Sequence, residues 1–142
     1  MKMKHLKGIA LAAAAVVGLA ACGGSSESSD TTAAAGGDYS NLKVAVVYIG
    51  VPGDAGYTYQ HDQGIAELEA ELGITVTRLE NIPEGAESAA TFDQLASEGY
   101  NLIFGTSFGY MDPMLEVSAK YPNVCFEHAT GYKTSTNLGT YF

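Results

Sequence analysis

The chain has 142 residues, with 7 basic and 16 acidic side chains and a formal charge of −9. That balance argues against nucleic acid as a partner and against a basic grip on anionic lipid. The two cysteines, Cys22 and Cys125, support neither a disulfide framework nor a zinc site.

The first segment reads as an address. Lys2, Lys4 and Lys7 form a positive n-region. The apolar run over residues 8–19 has the length of a signal h-region and is too short to cross a bilayer. It ends in Leu19-Ala20-Ala21-Cys22, which is similar to a bacterial lipobox. The resemblance implies a signal peptide over residues 1–21, cleavage before Cys22, and lipid on the Cys22 thiol and the new amino group. Several acyl chains would anchor firmly where one binds only marginally. An ordinary signal peptide that happens to meet a cysteine is the alternative. Residues 22–41 are rich in Gly, Ser, Thr and Ala and predict a flexible tether. Loss of the three lysines leaves 4 basic against 16 acidic groups, or −12.

From residue 42 onward, apolar strands alternate with helical patterns. Val44 to Ile49 is apolar without alternation, as suits a strand covered on both faces. Gly50 to Gly56 is a glycine-rich loop with Pro52 and Asp54. The helix after it begins near Tyr57 and places Ile65, Leu68 and Leu72 on one face. Glu67, Glu69 and Glu71 fall on the solvated side, and Gly73 closes the helix. A second strand spans Thr75 to Asn81, a turn Pro83 to Gly85, and a second helix Ala86 to Glu98 with Phe92 and Leu95 inward. A third strand covers Leu102 to Phe104. Asp112 as N-cap and Pro113 at the first helical position open a third helix, which stops at Tyr121-Pro122. A fourth strand, Val124 to Glu127, carries Cys125 as a small core residue. A fifth begins near Asn137 to Phe142.

This pattern predicts an α/β, parallel-sheet, three-layer lobe over residues 42–142 with right-handed crossovers. The chain stops inside a strand, so it is expected to be the front portion of a longer protein with a second lobe.

Loops leaving the carboxyl ends of the first, third and fourth strands share one edge of such a sheet, where ligands bind. They carry Asp54, Tyr57, Tyr59, His61, Thr106, Ser107, Phe108, Tyr110, His128 and Thr130. Aromatic faces beside neutral hydrogen-bonding groups suit a flat, polar, uncharged ligand. No Walker or Rossmann glycine spacing is present, so a phosphate cradle is not expected. Each candidate also has a structural reading. Tyr57 can plug the loop against the helix, and Asp54 can pin its own loop through an Asx-type bond. His61 can be a solvated first-turn residue, Phe108 a core wedge, and His128 a hydrogen-bonded strand-end residue. His61 and His128 lack a third metal ligand at a suggestive spacing.

Three blocks, GDAGYTYQHDQG, LIFGTSFGYMDP and YPNVCFEHATGYK, follow the lipobox, tether and first strand in that order. Together they closely resemble the basic-membrane-protein family, lipoprotein substrate-binding components of ABC transporters. Many members bind purine bases or purine nucleosides. The resemblance implies a type I periplasmic-binding-protein fold of two hinged lobes, an ABC permease as partner, a lipid-anchored extracytoplasmic location, no catalysis and no cofactor. The family's Gly-x-Phe-Asn loop is matched by Tyr57 and Thr58. The aromatic type is kept, but a hydroxyl stands where an amide would, with different hydrogen-bonding capacity. Asp54 matches the acidic residue of the family's Gly-Asp loop, and Ser107 and Phe108 match its turn after the third strand. The implied ligand-binding set is Asp54, Tyr57, Thr58, Tyr59, Thr106, Ser107, Phe108 and His128.

A serine hydrolase is the enzyme alternative. Gly105 to Gly109 reads G-x-S-x-G between a strand and a helix, the setting of a nucleophile elbow at Ser107. Asp112 and His128 follow in Ser, Asp, His order. Against it stand the few preceding strands, the commitment of Asp112 to its helix, and the lack of an upstream HGG loop. A purely adhesive surface lipoprotein is a third reading, and it leaves the aromatic loops without a purpose.

Overall fold

The computed structural model describes residues 37–142. The signal segment, Cys22 and most of the tether lie outside the described residues. Five strands form one sheet: β1 (Val44–Tyr48), β2 (Val76–Leu79), β3 (Leu102–Thr106), β4 (Cys125–Ala129) and β5 (Leu138–Tyr141). Three helices connect the first four: α1 (Tyr57–Leu72), α2 (Ala86–Ser97) and α3 (Met111–Lys120), and a loop leads from β4 to β5. The strand order is β2-β1-β3-β4-β5, and every neighbouring pair is parallel. The α/β parallel-sheet expectation holds.

The layers follow from strand alternation. β1 lies inside the sheet, between β2 and β3, and is buried along its whole length. Ala45 and Val47 point to one face, where they meet Phe92 and Leu95 of α2 and Met114 and Val117 of α3. Val44, Val46 and Tyr48 point to the other, beneath Ile65 of α1. Two helices therefore cover one face and a single helix the other. Beside α1, a groove of about 420 Å³ opens over β3, β4 and β5, lined by Ile65, Leu68, Phe104, Glu127 and Tyr141.

That asymmetry corrects one expectation. Cys125 is exposed rather than core. Val124 and Phe126, on either side of it, face the α2–α3 core. Cys125 thus points to the opposite face, in register with Leu102. There α1 does not reach it.

Two more expectations change. Glu69 is not merely solvated: its carboxylate accepts from Arg78 Nη1 at 3.0 Å and Nη2 at 2.9 Å, while Arg78 Nε donates to Asp62 at 2.7 Å. Asp62 also accepts from the Tyr48 hydroxyl at 3.0 Å, so this cluster ties α1 to β1 and β2. Asp112 is not the N-cap of α3. A 3₁₀ turn, Phe108–Tyr110, runs straight into that helix, and Tyr110 occupies the cap position. Asp112 sits in the first turn, paired with Lys133 at 2.6 Å.

Candidate functional site

The carboxyl ends of β1, β3 and β4 lie side by side, so their exit loops meet at one edge. The first loop turns through a short 3₁₀ segment, Pro52–Asp54, and a left-handed Ala55 with φ of 53°. Gly56 precedes α1 and has no side chain to cap it. Asp54 supplies what is missing. Its Oδ1 accepts from the N–H of Gly56 at 2.8 Å and of Tyr59 at 3.0 Å, and its Oδ2 from that of Thr58 at 3.0 Å. Those backbone donors hold its carboxyl below the usual carboxylate range. The carboxylate is turned onto its own loop, in line with the structural reading of this residue.

This capping sets the direction of the next three side chains. Thr58 is buried, whereas Tyr57 is 43% and Tyr59 39% exposed. His61, one turn further on, meets the Tyr57 ring edge-on at 4.6 Å between centroids. Burial pushes the His61 imidazole below its ordinary pKa.

The second loop follows β3. Thr106 is buried, and its hydroxyl donates to the Val47 carbonyl at 3.1 Å. Ser107 Oγ donates to Glu84 Oε1 at 2.6 Å, and the Gly109 N–H donates to the same oxygen at 2.9 Å. Between them Phe108 projects outward, 56% exposed.

The third loop follows β4. His128 is fully buried, with Nε2 2.7 Å from the Ser107 carbonyl oxygen. A carbonyl only accepts, so Nε2 carries the proton. Nδ1 is then an acceptor, and it is buried with no hydrogen-bond partner among the described residues. Burial holds the ring below its ordinary pKa, against the opposing effect of the Ser107 carbonyl. Gly131 packs against the imidazole so closely that a Cβ there would lie 1.9 Å from Nδ1. The next residue, Tyr132, is 70% exposed, with its ring 6.3 Å from that of Phe108.

Seven of the eight candidate residues therefore separate into two groups, with Asp54 apart from both. Tyr57, Tyr59 and Phe108 present aromatic surface outward. Thr58, Thr106, Ser107 and His128 lie beneath, and Thr106, Ser107 and His128 bond to other parts of the protein. Asp54 holds the first loop in shape. Sequence reasoning missed Glu84, for which the turn Pro83-Glu84-Gly85 offers no functional signal. It also gave no weight to Tyr132, although the loop that carries it was singled out.

The hydrolase arrangement is not assembled. Ser107 Oγ faces Glu84, the His128 ring faces the Ser107 carbonyl rather than its hydroxyl, and Asp112 pairs with Lys133. The described residues contain no group of three or more His, Cys, Asp or Glu side chains placed to hold a metal. What the rim offers is aromatic surface, suited to stacking on a flat or ring-shaped molecule.

Residues 41–142 match a family of ABC transporter substrate-binding proteins described as PnrA-like. The chain is 54% identical over 102 residues to a purine-binding protein of Brucella abortus (strain 2308), covering 70% of this chain and 29% of that protein. It is 39% identical over 100 residues to a Haloferax volcanii protein named as an ABC transporter glucose-binding protein, covering 70% and 26%. The chain thus spans under a third of the length of these relatives. Among solved structures, a solute-binding protein from Aeropyrum pernix K1 superposes with a TM-score of 0.64 at 23% identity, over 71% of this chain and 28% of that one. One from Conexibacter woesei DSM 14684 gives 0.61 at 21% identity, over 70% and 34%. At such identities these two speak for the fold alone.

Proposed function

The chain belongs to the PnrA-like family of ABC transporter substrate-binding proteins, and from that premise we propose that it forms one wall of a cleft for a purine base or purine nucleoside. The observation that carries this reading is the outward-facing aromatic set, Tyr57, Tyr59 and Phe108, at the strand ends of a chain 54% identical over 102 residues to a purine-binding protein. The ligand enters between this lobe and a second one, and its ring stacks on Tyr57. Phe108 extends the aromatic surface. Closure of the two lobes buries the ligand, and an ABC permease recognises the closed form. Binding requires neither covalent chemistry nor a cofactor. Lipid on Cys22 holds the assembly at the outer side of the membrane, with residues 23–41 as the tether.

A sugar is the second reading, favoured by the relative named for glucose. Aromatic rims also stack on sugar rings, so the rim alone does not choose between the two. A thermal-shift panel on the complete protein does. The ligands are adenine, guanine, adenosine, inosine, guanosine, uridine and glucose, since a ligand that prefers the folded state raises the melting temperature. A rise confined to purines is expected, and the contrast of base with nucleoside then reports whether ribose is bound. A rise with glucose alone overturns the purine assignment in favour of the sugar, and a flat panel removes both.

A further inference from the structure

Phe108 is the most exposed of the three rim aromatics assigned to the site, and little packing holds its ring. Its backbone is held instead. Glu84 Oε1 accepts from Ser107 Oγ on one side of Phe108 and from the Gly109 N–H on the other, at 2.6 and 2.9 Å. One carboxylate oxygen therefore straddles the residue. Tyr110, two residues on, donates its hydroxyl to the Ile82 carbonyl, so the turn is tied to the 82–84 loop at three points. From beneath, the His128 ring takes the Ser107 carbonyl. The turn is also shaped to admit the carboxylate: a Cβ on Gly109 would lie 2.1 Å from Glu84 Cδ.

Glu84 itself is anchored to the sheet. The N–H groups of Asn81 and Ile82 donate to the carbonyls of Gly50 and Tyr48 at 3.1 and 3.0 Å, which fastens its loop to the end of β1. The loop that carries Tyr57 leaves from the same strand end. Glu84 thus links the β1 exit, which carries one aromatic, to the β3 exit, which carries another.

We propose that Glu84 is a positioning residue that presets Phe108 for ligand stacking. It acts through the turn at residues 107–109 and does not itself touch the ligand. The assignment rests on the purine reading above. An aromatic on a loose turn has to be ordered when ligand binds, and apparent affinity falls with the fraction of protein already in the competent arrangement. The carboxylate removes that loss.

The test is calorimetric titration of the complete protein with adenine, guanine and their nucleosides, in five forms: wild type, Glu84→Ala, Glu84→Gln, Phe108→Ala and the Glu84→Ala/Phe108→Ala double variant. Glu84→Ala is expected to weaken binding by about tenfold through loss of preorganisation. Glu84→Gln keeps an acceptor oxygen and is expected to recover most of that loss. In the double variant, Glu84→Ala is expected to add nothing to Phe108→Ala, because the two act as one unit. Additive losses would overturn the proposal, since Glu84 would then act elsewhere. Hydrogen exchange at the Gly109 amide gives a readout free of ligand. It is expected to quicken in Glu84→Ala and not in Glu84→Gln, and an unchanged rate in Glu84→Ala would refute the clamp. Wild-type protein that ignores every purine takes down the purine reading, and the exchange measurement then still judges the clamp.

Discussion

Tyr57 shows how one residue acquires a role from its neighbours. The aromatic type comes from the sequence, but its direction comes from Asp54, whose carboxylate fixes the first turn of α1. Thr58 is turned inward by the same geometry, close enough to Gly50 that a Cβ there would lie 3.0 Å from its Oγ1. Thr58 is buried and Tyr57 is half exposed, so under the proposed function Tyr57 is the residue of this pair that reaches the ligand. Tyr57→Ala is expected to weaken purine binding by about 1–3 kcal/mol, on the scale of base–aromatic stacking. Tyr57→Phe keeps the ring and is expected to bind nearly as well. Equal affinity in the Ala variant, measured by titration, would remove stacking on Tyr57 from the account.

Elements explain a motif that looked catalytic. In the G-x-S-x-G of residues 105–109, each fixed residue has a packing reason. Gly105 lies in β3 directly beneath α3, and a Cβ there would sit 2.3 Å from Met114 Sδ and 3.0 Å from the Phe92 ring. Ser107 and Gly109 both serve the Glu84 carboxylate. The glycine at the start of the motif thus lets α3 approach the sheet and has no part in a nucleophile elbow. Gly105→Ala is expected to destabilise the fold by about 1–3 kcal/mol, the usual cost of overpacking a core. Urea unfolding reads this directly, and a midpoint equal to wild type would show that α3 can retreat freely. Cys125 also belongs to this scale. The apolar triplet Val124-Cys125-Phe126 does not reveal which half of a sheet face a helix will cover.

For the molecule as a whole, acidity acts through two imidazoles, one partly and one fully buried. Burial lowers the pKa of the partly buried His61 and the fully buried His128 from the ordinary 6.5, so protonating either ring works against the folded state. The unfolded chain then binds the extra protons as pH falls below that value. Stability is therefore complete above pH 6.5 and declines as pH falls toward the folded-state values. The carboxyls of Glu69 and Asp54, held down by Arg78 and by backbone N–H groups, add a second decline that starts below their ordinary values of 4.5 and 3.8 and runs down to their lowered folded-state values. Melting temperatures from about pH 7.5 to about pH 5 are expected to fall, and to fall less in His61→Gln. Added salt screens the surface charges and acts less on the desolvation of the two imidazoles. A flat profile in salt would mean that neither imidazole is held neutral by burial.

Much of the lobe was legible because its signals are local. An unbroken apolar strand such as Val44 to Tyr48 has to be covered on both faces, and helical spacing at Ile65 and Leu68 names the covering face. Those patterns determined the α/β class, the parallel sheet and the edge at which the loops gather. Only the tertiary structure decided which loop residues face outward. Whether Thr106 or His128 meets solvent depends on which neighbouring carbonyl it bonds, and that is set by strands distant in sequence. Glu84 was invisible for the same reason. Its role exists only once residues 81 and 82 hook onto the end of β1 and carry the carboxylate to a turn 23 residues away from it in the chain.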